Sequence, residues 1–112
     1  MYINMKYIIP ENKIDKIIFK YLNMIFKGLE IAPGKHGYDG IVFAYPNVNY
    51  GKLGYQNGVL YVYYEYIDEI SSIFGLEEYD SEEVISRWVS DKFQLEVNGF
   101  VKLFGVLYFE SL

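Results

Sequence analysis

The sequence predicts an α+β fold: one domain over residues 1–112, with an antiparallel or mixed sheet carrying about three helices on one side. Three observations point there. Apolar residues recur with helical period over 14–25 and again over 84–89. The run YGKLGYQNGVLYVYYEY sets an Asn-Gly pair between two β-prone stretches. Apolar residues make up 52% of 112, enough to bury a real core.

Taken in order, residues 3–9 read as a short strand running into Pro10, which suits the first turn of a helix. Ile14, Ile17, Ile18, Tyr21, Leu22 and Ile25 then form one apolar stripe, with Lys13, Asp15, Lys16 and Lys20 left for solvent. Gly28 supplies the stop. The stretch from Ile31 to Gly40 is rich in Gly and turn formers and reads as a loop, and Ile41 to Tyr45 as a strand ended by Pro46. A strand near Lys52 to Tyr55 should pair with one near Val59 to Tyr64 through Asn57-Gly58, since both turn residues tolerate positive φ.

Ile67, Ile70, Ile73 and Phe74 mark a second helix closed by Gly75. Asp80 followed by Glu83 is a capping-box pattern opening a third, with Val84, Ile85, Trp88 and Val89 on one face. Phe93, Leu95 and Val97 alternate like a strand, Asn98-Gly99 offers a turn, and residues 100–109 supply a last strand. The expected order is β-α-β-β-β-α-α-β-β. No internal repeat, low-complexity segment or dividing linker is apparent.

Charge is segregated along the chain. Residues 1–52 carry seven lysines against four acids, a net of +3, whereas residues 53–112 carry three basic groups against eleven acids, a net of −8. Between Lys52 and Arg87 no basic residue occurs, while eight acids do. That half should repel nucleic acid and attract basic surfaces. Phe, Tyr, Asn, Ile and Lys are abundant, Thr is absent, and nine lysines stand against one arginine, the signature of AT-rich coding.

Several function classes lose their support at this level. Without cysteine there is no disulfide, thiolate nucleophile or thiolate metal site, which is compatible with a reducing cytoplasm. The opening MYINMKYIIPENK lacks the pattern of a signal peptide, and no uncharged tract approaches the ~20 residues of a bilayer span. A Ser-His-Asp triad would have to use His36, the one histidine, and zinc would find one imidazole among carboxylates. Gly28 and Gly34-Lys35 fail as a phosphate loop in spacing, in the residue after lysine and in the preceding element. No catalytic residue, metal or cofactor is therefore expected.

Two groups of side chains could instead contact a partner. Glu65, Asp68 and Glu69, joined to Glu77, Glu78, Asp80 and Glu82 of the run EEYDSEE, could form an acidic face that docks on a basic protein. The same run also suits the approach to a helix N-terminus, where negative charge is favoured, and its spacing does not fit a calcium loop. In the second hairpin strand Tyr61 and Tyr63 point to one face, while Leu60, Val62 and Tyr64 point to the other. Exposed tyrosine rings suit an interface, although tyrosine is also an ordinary β-former.

The stretches KYIIPENKIDKIIFKYL and SSIFGLEEYDSEEVISRWVSDKFQLEV resemble segments of small uncharacterised proteins encoded by AT-rich phages and environmental viral genomes. The resemblance implies a viral or host-defence setting, in the cytoplasm of a bacterial host, for a small protein that acts by binding another macromolecule. The leading expectation is a host- or viral-protein-binding module. A homo-oligomeric or virion-associated subunit comes second and a carboxylate-dependent enzyme third.

Overall fold

The computed structural model describes residues 8–33, 40–46, 48 and 50–108. Helix α1 spans Ile8–Ile25. Pro10 falls within its first turn, where backbone N–H groups have no intrahelical acceptor, so its missing donor costs nothing. Ile18, Leu22 and the following Phe26 are buried, and Gly28 takes positive φ (87°) just beyond. The helix begins before Pro10, so Ile8 and Ile9 are helical and the expected strand is corrected there; residues 1–7 lie outside the described residues.

Strand β1, Glu30–Pro33, pairs antiparallel with β2, Ile41–Ala44, in the register Ile31↔Phe43. This corrects the loop expected from Ile31 onward. An edge strand tolerates Pro33, and its pairing is imposed by β2 rather than by its own composition. The rest of that loop, with Gly34, Lys35 and His36, lies outside the described residues.

After β3 (Tyr50–Gly51), the hairpin forms as its turn residues dictate. Strands β4 (Leu53–Gln56) and β5 (Val59–Tyr63) flank Asn57 and Gly58, whose φ of 51° and 83° make the primed turn that matches strand twist. Helix α2, Tyr64–Phe74, follows without a loop and ends on Gly75 at φ 65°. Tyr64 is thus the first residue of a helix and not the last of a strand.

Helix α3 spans Glu78–Phe93 with Glu77 at the N-cap position. The capping box expected at Asp80 and Glu83 does not form: Asp80 lies inside the helix, and no side chain caps its start. Ser81 explains the earlier start. It is fully buried, its hydroxyl lies 2.7 Å from that of Ser71 on α2, and its N–H donates to the Glu77 carbonyl. The contact with α2 fixes the first turn in place of a cap.

The tail departs from expectation at three points. Phe93 belongs to α3, which ends on Gln94 at φ 58°, and residues 95–98 pair with no strand among the described residues. Asn98 and Gly99 make no turn, because both N–H groups donate to the Gly58 carbonyl (2.7 and 3.2 Å) and deliver the chain into the sheet. The last strand is divided into β6, Gly99–Leu103, and β7, Leu107–Tyr108.

The main sheet has five strands in the order β1-β2-β4-β5-β6; every pairing is antiparallel except β5 with β6. Phe43, Leu53, Leu60 and Val62 lie on the face covered by all three helices, against Ile18, Leu22, Ile67, Ile70, Ile85, Trp88 and Val89. Each such aliphatic side chain contributes roughly 1.5–3 kcal/mol on burial. On the other face β3 and β7 pair as a two-stranded ribbon, and Leu107 covers Val42 and Ala44. The fold is α+β, with three helices and a mixed, mostly antiparallel sheet, as the sequence predicts.

Candidate functional site

The acidic residues of α2 and α3 do not share one surface, because neighbours on a helix diverge by about 100°. Asp68, Glu78 and Glu82 gather around Lys102 on β6. The Lys102 ammonium donates to Glu78 Oε1 at 2.9 Å, and Asp68 and Glu82 add to the field that, with this hydrogen bond as its main cause, raises the lysine pKa. Glu78 and Glu82 are one turn apart on α3, a like-charge pair that Lys102 offsets. Partial burial, followed by the proximity of Glu78, raises the Glu82 pKa.

A second group forms around Arg87, which donates to Glu83 one turn earlier (3.0 Å) and to Asp15 of α1 (2.7 Å). Asp80 lines the same hollow. Glu69 turns away from both groups and accepts a hydrogen bond from the Tyr21 hydroxyl of α1. Glu65 lies near Tyr63 and Tyr66, and Glu77 is exposed at the N-cap.

The register of the sheet aligns Val42, Gly54, Tyr61 and Val101 in one row, with Tyr63 beside Leu103. These residues lie on the face opposite the helices, so Tyr61 and Tyr63 sit on the helix-free side and are both half-buried. Leu60 and Val62 supply the buried side.

At the C-terminal ends of the parallel strands the rings continue into a strip. Tyr63 and Tyr64 have centroids 4.9 Å apart, and Tyr64 stacks on Phe104 at 5.4 Å and 28°. Lys52 Nζ lies 5.0 Å over Tyr63 and Lys102 Nζ 5.7 Å from the Phe104 ring. Phe104 is 73% exposed, on a bend just after β6. Lys102 therefore joins the acidic group to the aromatic strip.

Sequence reasoning finds Tyr61, Tyr63 and the acids but misses Tyr64, Phe104, Lys52 and Lys102. Only the parallel pairing of β5 with β6 brings the start of α2 and the end of β6 together, and nothing local encodes that pairing. Among the described residues no three His, Cys, Asp or Glu side chains are placed to hold a metal ion, and no helix is long and apolar enough to cross a membrane. Compared with known protein families, curated proteins and solved structures, the chain shows no significant match to any.

Proposed function

We propose that this protein is a small accessory module of the phage type that acts by binding a host or viral protein with a basic surface. The observation that carries this reading is the strip Tyr63–Tyr64–Phe104, which leaves a large ring in solvent at the end of edge strand β6. Solvent-facing aromatics beside a strand edge that pairs with nothing among the described residues supply the apolar area and backbone groups that protein partners use. Val101, 40% exposed on the helix-free face of the same strand, extends the apolar area. Asp68, Glu78 and Glu82 lie alongside with one cation among them, which favours a basic partner.

A photo-crosslinking residue introduced at Phe104 and, separately, at the exposed Met24 of α1 tests the reading in a bacterial host lysate. One protein should crosslink from position 104 and not from 24, and should be lost when Asp68, Glu78 and Glu82 are changed together to Lys. The same products from both positions would reject it. The β6 edge also supports a second reading, a self-associating subunit, in which the product from position 104 is a dimer of this chain.

A further inference from the structure

Separate from that strip, aromatic rings from four parts of the chain enclose a cavity of about 140 Å³. Phe26 follows α1, Phe43 and Tyr45 come from the end of β2, Tyr50 from β3 and Tyr66 from α2. Phe26 and Tyr66 meet edge to face at 4.8 Å and 76°, and the Tyr45 hydroxyl is anchored on the Ile25 carbonyl. Rings thus make up five of the eleven lining residues, held by packing and a hydrogen bond, with Leu29, Val48 and Leu53 among the rest.

Charges of both signs surround the cavity, two carboxylates near Tyr66 and one lysine in the wall. Burial raises the Tyr66 phenol to about 12, and Tyr45, Glu69, Glu65 and Tyr50 add to the rise, so two phenols and two carboxylates bear on this one hydroxyl. Burial also raises Tyr45. The Tyr66 and Tyr45 phenols thus stay neutral at physiological pH, and Glu65 and Glu69 lie close enough to act on Tyr66. Lys52 lines the cavity, but its ammonium is placed over the Tyr63 ring.

We propose that this cavity binds a quaternary ammonium group, as a small trimethylammonium compound or as a trimethylated lysine. Ring faces attract a diffuse positive charge, and the two carboxylates near Tyr66 add to that attraction. A bare ammonium is strongly hydrated and would lose that hydration among rings, whereas methyl groups spread the charge and fill apolar space. The volume suits a head group of a few heavy atoms and lies well below the roughly 300–1,000 Å³ of drug-sized sites.

Titration with choline, followed by tyrosine ring resonances, tests the proposal against 3,3-dimethylbutanol, its neutral carbon isostere. Choline should bind saturably and about tenfold or more tighter than the isostere. Tyr50 is partly exposed, so Tyr50→Leu should keep the wild-type melting temperature while weakening choline about tenfold. Tyr66→Phe keeps the ring and should retain binding. A trimethyl-lysine peptide binding much more tightly than choline would identify a protein as the source, and equal binding a free small molecule. Equal affinity for choline and the isostere, or no binding of either choline or the peptide, would overturn the proposal.

Discussion

Trp88 on α3 donates its indole N–H to Asn23 Oδ1 on α1 at 2.8 Å. The indole is 2% exposed and packs on Phe26 at 5.3 Å, so its one polar atom is satisfied from the neighbouring helix. Asn23→Ala removes that acceptor and should cost about 1–3 kcal/mol, the usual penalty for a stranded donor. Urea unfolding followed by fluorescence of this single tryptophan measures it; an unchanged midpoint would show that the bond contributes nothing.

Gly51 marks where the ribbon crosses the sheet. A Cβ there would press on the Val42 side chain and on the Phe43 carbonyl, the latter rigid backbone. Gly51→Ala should destabilise the fold by about 1–3 kcal/mol, the range for overpacking. Gly75→Ala is a useful contrast, since its φ of 65° disfavours a side chain but no atom lies within 4 Å. Melting curves of the two variants separate crowding from backbone strain.

The hydrogen bond from Tyr21 to Glu69, aided by burial, raises the phenol pKa to about 12. With the folded value above the ordinary 10, the contribution is complete below pH 10 and is lost as pH rises from 10 to about 12. Tyr21→Phe should cost less than about 1 kcal/mol at neutral pH, because the pair is exposed and screened. The difference from wild type should vanish near pH 12, as read from denaturant midpoints across pH.

Glu82 also has a raised pKa, but its titration falls in the acid range, so the linked stability is already lost at neutral pH. Its carboxyl favours the proton in the folded state through burial and the nearby Glu78. The stability linked to that proton is present below the ordinary value of 4.5 and is lost as pH rises through the raised value. Glu82→Gln should therefore raise the melting temperature at pH 7, with the gain shrinking toward pH 4. A loss at pH 7 would mean that its attraction to Lys102 outweighs both effects.

Much of the fold was legible where one local pattern decides the outcome. The stripe from Ile14 to Ile25 faces inward at Ile18 and Leu22, although Ile14 and Ile17 are exposed, Asn57-Gly58 makes its turn, and Gly75 ends α2. The pattern fails where a distant partner decides. Ile31 is in a strand because β2 pairs with it, Asn98-Gly99 is held straight by the Gly58 carbonyl, and Ser81 displaces the expected cap. The candidate site divides along the same line. Its acids and strand tyrosines are visible one by one, but the separation of Asp68 from Glu69, and the meeting of Tyr64 with Phe104, follow from how the helices lie on the sheet.

The pairing of β5 with β6 sets an order of assembly. Strands β1, β2, β4 and β5 meet through short connections, so a chain leaving the ribosome can zip them up as it emerges. Strand β6 must wait until everything from Tyr64 to Asn98, the stretch that holds α2 and α3, has been synthesised. Until then β5 is itself an open edge, with Leu60 and Val62 beside unpaired backbone, and the nascent chain is most vulnerable to mispairing with another copy. The last strand of the main sheet to arrive thus moves that edge from β5 to β6.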